Sequence, residues 1–264
     1  MKFDSITSKS NDKIKRVGLL IRSASARREG GAFVIEGLRL CHDAVLNNIV
    51  IDELYFTEDA YKKHQDIMQV IIDSSNKRYC VSNDVITKIS DTNNSQGVVA
   101  VVGFKNILTA GDINPNGRYI ACENVADPSN LGAIARTAEA LGLSGLMLID
   151  HCCDAYNPKA LRASMGALLR LPVYTYADTN DFCNMCKSNN MRSVASVVHG
   201  DATDIKEFVF NNGDIVVIGN EANGMSDALI NMCDERINIR IKGRAESFNA
   251  AVAASIIMWE LSAK

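Results

Sequence analysis

Residues 119–136 read YIACENVADPSNLGAIAR, and this stretch decides the fold of the second half of the chain. Its first four residues are apolar, as in a buried strand. Asp127 is a favoured N-cap residue and Pro128 a favoured first helical residue, so a helix is predicted over residues 128–141. A strand that leads directly into a helix is the repeating unit of α/β proteins with parallel sheets.

The same alternation of short apolar segments and helical patterns continues to the end of the chain. Further strands are predicted at residues 146–149, 173–176, 193–198, 215–218 and 237–241, and further helices at residues 158–169, 180–188, 227–232 and 248–261. We therefore expect one domain over residues 118–264, with a mostly parallel sheet covered on both faces.

Residues 1–104 show a second, smaller α/β pattern. It opens with an amphipathic helix predicted over residues 10–29, in which Ile14, Val17, Leu20 and Ile21 recur at helical spacing. Strands follow at residues 33–35, 53–56, 78–81 and 97–104, with helices at residues 38–46, 59–72 and 83–89. Residues 105–117 hold two glycines, one proline and three asparagines without a sustained period, which predicts an interdomain linker.

Charge is distributed unevenly along the 264 residues, whose formal net charge is −3. Residues 1–30 hold eight Lys and Arg residues against three Asp and Glu residues, which indicates a surface for phosphate-bearing partners or simply a solvated helix face. Apolar runs are far shorter than a membrane span, and no secretory signal follows Met1. We expect a cytoplasmic protein that keeps its eight cysteines reduced.

Several common chemistries lack their motifs in this sequence. No G-x-G-x-x-G follows a predicted strand, and no P-loop, H-E-x-x-H or G-x-S-x-G is present, which argues against hydride transfer, NTP hydrolysis, metalloproteolysis and esterase chemistry. Cys183 and Cys186 have the spacing of a metal-binding pair, but the second pair that a zinc site needs is missing. They are interpreted as buried small hydrophobes, and no metal is expected.

Three segments carry polar residues that a simple fold does not require. The helix around Arg136 is almost all Ala, Ile, Leu and Gly, so this lone arginine is either paired or functional. The strand at residues 215–218 runs into Gly219-Asn220-Glu221, at the edge of a parallel sheet where ligands bind. Ser247 or Glu246 is expected to cap the final helix, and capping leaves Asn249 unexplained.

Together these segments resemble the three motifs of the SpoU/TrmH class of RNA ribose 2′-O-methyltransferases, in the SPOUT superfamily. The matching patterns are Asp127-Pro-x-Asn130-x-Gly132-x-x-x-Arg136, then Gly219-Asn220-Glu221-x-x-Gly224, then Ser247-x-Asn249. Residues 157–167 match a further stretch typical of the family, and residues 118–264 match in the right order. Residues 33–37, which follow the basic helix, are similar to the family's substrate-binding domain. Ala222 and Met225 are mild departures, because glycine and leucine are common there.

The resemblance implies a trefoil-knotted methyltransferase domain, with the knot in about residues 193–264, preceded by a small L30e-like domain that binds the substrate. It implies S-adenosylmethionine as cofactor, a homodimer and no metal. The implied catalytic residues are Arg136, Asn130, Ser247 and Glu221. The implied cofactor-binding residues are Gly219, Glu221, Ile239, Phe248 and Asn249.

The resemblance also gives the basic N-terminal segment a role in RNA binding. The implied phosphate contacts are Lys13, Lys15, Arg16, Arg22, Arg27 and Arg28, which would give affinity without sequence choice. A separate substrate domain favours ribosomal RNA over transfer RNA. Two alternatives stay open: a non-catalytic RNA-binding protein on the same fold, and a small-molecule enzyme that uses Cys183 and Cys186 in redox chemistry.

Overall fold

The computed structural model describes residues 3–104 and 113–263. These residues form two compact units, each with its own sheet. The first comprises residues 3–104 together with Tyr156–Arg170, and the second comprises residues 113–155 and 171–263. Most of the predicted linker, residues 105–112, lies outside the described residues.

The first unit has a five-stranded mixed sheet in the order β1-β4-β3-β5-β2. Strands β1, β4 and β3 are parallel, and β5 runs antiparallel to both β3 and β2. The strands are β1 (Asp4–Ile6), β2 (Ala32–Glu36), β3 (Ile51–Phe56), β4 (Ser75–Val81) and β5 (Val98–Gly103). The helices between them are α1 (Asp12–Arg22), α2 (Ala24–Gly30), α3 (Leu38–Leu46), α4 (Glu58–Lys63), α5 (Gln65–Asp73) and α6 (Asn83–Lys88).

The helix predicted over residues 10–29 is two helices that meet at Ser23. The Ser23 hydroxyl accepts from the backbone N–H of Ala26 and begins α2. Arg27 of α2 is only 2% exposed, and its Nη1 donates to the carbonyl oxygens of Leu20 at 2.6 Å and Ile21 at 3.1 Å. The guanidinium thus satisfies carbonyl groups that the end of α1 leaves open. The helix predicted over residues 59–72 is likewise divided, at His64.

The segment Tyr156–Arg170 belongs to the first unit, although the sequence placed it in the domain over residues 118–264. It forms α8 (Pro158–Ala163) and a 3₁₀ turn at Ala167–Leu169. The Tyr156 ring lies 4.9 Å from the Phe33 ring between centroids, and Arg170 forms an ion pair with Asp43. These contacts depend on side chains distant in the sequence, so local periodicity does not reveal them.

The second unit has a seven-stranded sheet in the order β10-β12-β9-β11-β6-β7-β8, and every pair is parallel. This confirms the predicted α/β fold with a parallel sheet. The strands are β6 (Tyr119–Glu123), β7 (Gly145–Ile149), β8 (Val173–Tyr176), β9 (Arg192–Ser196), β10 (Thr203–Asp204), β11 (Asp214–Ile218) and β12 (Glu235–Asn238). The helices are α7 (Pro128–Ala140), α9 (Thr179–Ser188), α10 (Asp227–Met232) and α11 (Ala250–Ser262).

Strands β6 and β11 are neighbours at the centre of this sheet and are buried along their whole length. Because they are parallel, the loops that follow them emerge at the same edge. Helix α7 begins in the loop after β6, and α11 packs against α7, where the Thr137 and Ser255 hydroxyls lie 3.2 Å apart. Within the described ranges, no helix is long and apolar enough to cross a membrane.

Candidate active site

Side chains from the three polar segments form one hydrogen-bonded chain. Asn130 Nδ2 donates to Glu221 Oε1 at 2.8 Å, and Asn249 Nδ2 donates to Asn130 Oδ1 at 3.0 Å. The two hydrogen bonds thus join side chains that are 91 and 119 positions apart in the sequence. Asn130 is the central member, because its amide group both donates and accepts.

Two members of this hydrogen-bonded chain, Asn130 and Asn249, lie at the starts of helices. Asp127 Oδ1 accepts from the Ser129 N–H at 2.8 Å and begins α7, which places Asn130 in the first turn. Asn249 Oδ1 accepts from Ala251 N at 2.9 Å and from Val252 N at 3.3 Å, so Asn249 is the N-cap of α11.

The expected cap at Ser247 or Glu246 is therefore wrong. The helix begins two residues later than predicted, at Ala250, and both residues are exposed ahead of it. The Asn249 amide outcompetes them because its oxygen caps the helix while its nitrogen reaches Asn130. Asn249, which simple capping by Ser247 left unexplained, thus caps α11 and also binds Asn130.

The turn after β11 requires glycine at its first position. Asn220 and Gly224 exchange two backbone hydrogen bonds of 2.9 Å, which folds the turn back on itself. A Cβ atom on Gly219 would lie 2.2 Å from the backbone nitrogen of Met225. Any side chain at residue 219 would force the turn apart, so steric hindrance explains why the motif has glycine at this position.

Sequence analysis named Asn220 as part of the second motif but assigned it no role, and its side chain holds this turn. Its Oδ1 accepts from Ala222 N at 2.9 Å and from Asn223 N at 3.1 Å, and its Nδ2 donates to the Asn124 carbonyl at 2.8 Å. The amide therefore joins the turn to the loop after β6. Its place directly after a buried strand and a glycine is typical of a turn-forming asparagine.

Glu123 is a residue that the sequence did not mark as part of the site. It is 1% exposed, and its two carboxylate oxygens accept from Ser226 N at 2.8 Å and from Ser226 Oγ at 2.5 Å. Ser226 is the N-cap of α10. The buried carboxylate thus ties the end of β6 to the far side of the glycine turn.

The environment of Glu221 favours its charged form. Burial alone would raise the pKa of this carboxyl group, but hydrogen bonds from Asn130 and from the backbone N–H groups of Glu221, Ala126 and Asp127 outweigh it. The pKa of Glu221 is therefore lowered from its ordinary value of 4.5. Near neutral pH the residue acts as an ionised acceptor that organises the N–H groups around it.

Arg136 is exposed on α7, and its guanidinium makes no hydrogen bond or ion pair with any residue of the described ranges. It lies six residues after Asn130, about 9 Å along the helix axis. The sequence left Arg136 as either a structural ion pair or a functional residue, and no ion pair is seen among the described residues. The guanidinium is available to an anionic ligand.

Two adjoining cavities open beside the glycine turn. The first, of about 560 Å³, is lined by four of the predicted residues: Gly219, Glu221, Ser247 and Phe248. The second, of about 600 Å³, contains Ile239 and shares Val198, His199 and Glu246 with the first. In the second cavity, Asn238 Oδ1 is buried and has no hydrogen-bond partner among the described residues. Asn249 lines neither cavity and contacts the site through Asn130.

Cys183 and Cys186 are buried inside α9 and not at its start. Burial raises the pKa of both thiols, that of Cys186 to about 12, so both stay protonated near neutral pH. The redox alternative needs a reactive thiolate at a helix start, and this geometry does not provide one. In the part of the chain that the structure describes, no three His, Cys, Asp or Glu side chains converge to hold a metal ion.

Five of the six basic residues implied as RNA contacts are exposed, namely Lys13, Lys15, Arg16, Arg22 and Arg28. Two of these also form ion pairs within the unit: Lys15 with Asp12 at 2.9 Å and Arg16 with Glu53 at 3.3 Å. The expectation that Arg27 contacts RNA is wrong, because its guanidinium is buried against the end of α1.

The fold and the site define an α/β protein in which three polar segments are hydrogen-bonded together at the carboxyl edge of a parallel sheet, where ligands bind. The chain belongs to the SpoU rRNA Methylase family, whose model matches residues 117–259. Residues 11–100 match the MRM3-like substrate binding domain. The chain is therefore an RNA methyltransferase, and the resemblance found in its motifs is confirmed.

Proteins similar to this chain match it over nearly its full length. The 23S rRNA (guanosine(2553)-2′-O)-methyltransferase RlmP of Bacillus subtilis is 27% identical, over 97% of this chain and 98% of that protein. The crystal structure of an AdoMet-bound rRNA methyltransferase from Sinorhizobium meliloti has a TM-score of 0.86 and 28% identity, and covers 98% of this chain and 97% of that one. The SpoU methyltransferase AviRb from Streptomyces viridochromogenes, in complex with AdoMet, has a TM-score of 0.86 and 25% identity, over 96% and 97% of the two chains.

Proposed function

We propose that this protein transfers a methyl group from S-adenosylmethionine to a ribose 2′-hydroxyl of ribosomal RNA. The observation that carries the proposal is the hydrogen-bonded chain of Glu221, Asn130 and Asn249. It joins all three polar segments next to a cavity, and its central residue lies on the helix that also carries Arg136, whose side chain has no partner within the described ranges. The similar protein from Bacillus subtilis is named as a 2′-O-methyltransferase of 23S rRNA, which supports the same reaction here.

The residues around the cavities fit S-adenosylmethionine. A volume of about 560 Å³ lies in the range of small-molecule sites, and the walls combine apolar side chains with a few polar groups. Ile239 and Phe248 would contact the adenine, and Gly219 lines the first of the two cavities. The buried Asn238 Oδ1 is an acceptor in need of a donor, and the cofactor offers N–H groups. When bound, the sulfonium supplies an electrophilic methyl group.

The protein's own residues must help a neutral hydroxyl to react. A ribose hydroxyl is a poor nucleophile, so its proton must leave as attack proceeds. Because a guanidinium carries only N–H donors and no acceptor, Arg136 is unsuited to act as a base. We assign to Arg136 the grip on the adjacent phosphate and the stabilisation of the developing alkoxide, with that phosphate helping to take the proton.

Supporting roles follow from the contacts of the other residues. Asn130 and Glu221 hold the start of α7 against the glycine turn. Ser247 lines the cavity and has no side-chain hydrogen bond within the described ranges, so its hydroxyl is available to orient Arg136 or the ribose. Asn249 positions Asn130 and begins α11.

The exposed cations of α1 and α2 provide the matching RNA surface. Lys15 and Arg22 lie seven residues apart on one face of α1, and the exposed Leu19 lies between them, four residues after Lys15 and three before Arg22. Arg16 lies three residues before Leu19. Such a face binds phosphates without reading bases. Ribosomal RNA is favoured over transfer RNA because the family model and its separate substrate-binding domain both match. With that substrate we expect the enzyme to act in the cytoplasm.

A homodimer with a knotted C-terminal segment, over about residues 193–264, completes the proposal. Val252 and Trp259 are exposed by 48% and 64% and lie seven residues apart, on one face of α11. Two large apolar side chains on one helix face favour burial against a second copy. Trp259→Glu should convert a dimer into a monomer in sedimentation equilibrium, and a monomeric wild type would contradict the dimer.

The test of the reaction is labelled methyl transfer from S-adenosylmethionine into unmodified ribosomal RNA and transfer RNA. We expect label in ribosomal RNA, recovered after alkaline digestion as a resistant 2′-O-methylated dinucleotide, and none with Arg136→Ala. Label mainly in transfer RNA would correct the substrate. Label in a base would overturn the ribose reaction. Failure to bind S-adenosylmethionine would favour the non-catalytic RNA-binding alternative.

A further inference from the structure

The first unit contains a cavity of about 420 Å³ that the proposed methyl transfer does not use. Its apolar wall includes Leu40, Leu161, Leu46 and Met165, and the last two are exposed by 65% and 38%. Large exposed apolar side chains in a concave site mark a place where a ligand binds. All residues that line the cavity belong to this unit.

Met165 enters this cavity from a strained backbone position. Its φ angle is 51°, in the left-handed region that an L-residue rarely adopts. The next residue, Gly166, has φ of 89°, and a Cβ atom there would lie 2.2 Å from Asp43 Oδ2. The Asp43–Arg170 ion pair thus packs directly against Gly166 and holds this turn in place. Strain held by surrounding contacts is typical of binding sites.

Two guanidinium groups supply the polar part of the cavity. Arg162 Nη2 contacts Asp91 at 2.7 Å, but its Nη1 is buried without a partner among the described residues. Arg39 is exposed on α3 and likewise has no ion pair within the described ranges. A buried donor without an acceptor is rare in a folded protein unless a ligand supplies the acceptor.

We propose that this cavity binds one unstacked nucleotide of the RNA substrate, with the base against Met165 and Leu46. The inference rests on the proposed function, because it assigns this unit a contact with a base in addition to the phosphate contacts of α1. A base presents an apolar face to the two side chains, and the Met165 sulfur contacts aromatic rings favourably. Its edge carries acceptor atoms for Arg162 Nη1, and Arg39 faces the phosphate.

The direct test uses the full-length protein with ¹³C-methyl-labelled methionine. Met165→Leu identifies the Met165 signal among the nine methionines. We expect the ring current of a base to move this signal upfield when AMP, GMP, CMP or UMP is added. Ribose 5-phosphate, which has no base, should leave it in place. If the Met165 signal shifts with no nucleotide, or shifts equally with ribose 5-phosphate, the proposal is overturned and a protein partner becomes the better candidate for this cavity.

A second test uses a matched pair of surface variants. Leu46→Glu places a charge in the cavity wall, and Val70→Glu adds the same charge on α5, where Val70 is 42% exposed and outside the cavity. Leu46→Glu should raise the KM for RNA about tenfold, the size of one lost base-stacking contact. Val70→Glu should change it less than about twofold, because a surface substitution outside the site is nearly neutral.

Equal KM values in the two variants would contradict the cavity's role, and binding of S-adenosylmethionine should be unchanged in both. If the wild type methylates no RNA, the proposed function fails. The methionine spectra still decide whether the cavity binds a base.

Discussion

Helix α7 and the helix pair α1 and α2 each carry an arginine, and the structure uses the two arginines in opposite ways. Arg136 on α7 is exposed without a partner among the described residues, although its helix is mostly apolar. Arg27 belongs to the most basic segment of the chain, yet it is buried and donates to the carbonyls of Leu20 and Ile21. Local charge density therefore does not tell which arginine meets a ligand. What decides the role of an arginine is whether unsatisfied acceptors of the protein, such as the carbonyls at the end of α1, lie within reach of its guanidinium.

Of the variants that distinguish the two regions, Arg136→Ala should have the largest effect, and the effect should be on kcat. Loss of one group that stabilises developing charge lowers kcat by about 10²- to 10³-fold. The free energy of unfolding should change by less than about 0.5 kcal/mol, because no described residue loses a partner. Single-turnover methyl transfer and urea unfolding measure the two quantities. Arg136→Lys is the control, and retention of most turnover there would contradict a bidentate grip on phosphate.

Arg27→Ala should show the reverse pattern. It leaves two carbonyl groups at the end of α1 without their charged donor, which lowers the free energy of unfolding by about 2 kcal/mol. The turnover of the folded fraction should stay near that of the wild type. Urea unfolding at fixed protein concentration provides the measurement. A variant as stable as the wild type, but with weakened RNA binding, would mean that Arg27 reaches RNA after all.

The neighbouring Arg28 offers a matched comparison, since it is exposed and adjacent in the sequence. Arg28→Ala should lower the slope of log K for RNA against log salt by about 1, because one phosphate contact is lost. Its free energy of unfolding should be nearly unchanged. Filter binding over a series of salt concentrations measures the slope. An unchanged slope would remove Arg28 from the RNA surface.

Much of the second unit could be predicted because its signals are local. A buried apolar strand, the Asp127 cap and Pro128 are contiguous, and they predict β6 and α7 to within one residue at each end. The glycine at residue 219 follows from the turn that it permits. The candidate site residues were implied by the resemblance of three motifs to a known family, and three of those side chains do meet.

The features that sequence reasoning missed depend on contacts between distant residues. The strand β10 has two residues and is defined only by its pairing with β12. The Tyr156–Arg170 segment joins the first unit through the Tyr156 ring and the Arg170 ion pair. Glu123 looks like an ordinary strand end until Ser226, 103 residues away, is folded beside it. No local period carries that information.

The smallest effect should come from Glu221→Gln, and it concerns pH. The folded-state pKa of Glu221 is lowered from 4.5, so its contribution to stability is fully present above the unfolded value and is lost as pH falls through the folded value. Glutamine keeps one acceptor for Asn130 but does not titrate. The wild type should therefore be more stable than the variant near neutral pH, and this advantage should shrink at acid pH, from about pH 4.5 downward. Urea unfolding of both proteins over that range, followed by the fluorescence of Trp259 on α11, measures the difference. An advantage that stays constant with pH would show that the site needs the shape of this side chain and not its charge, which would leave Arg136 as the residue of the site whose charge matters for function.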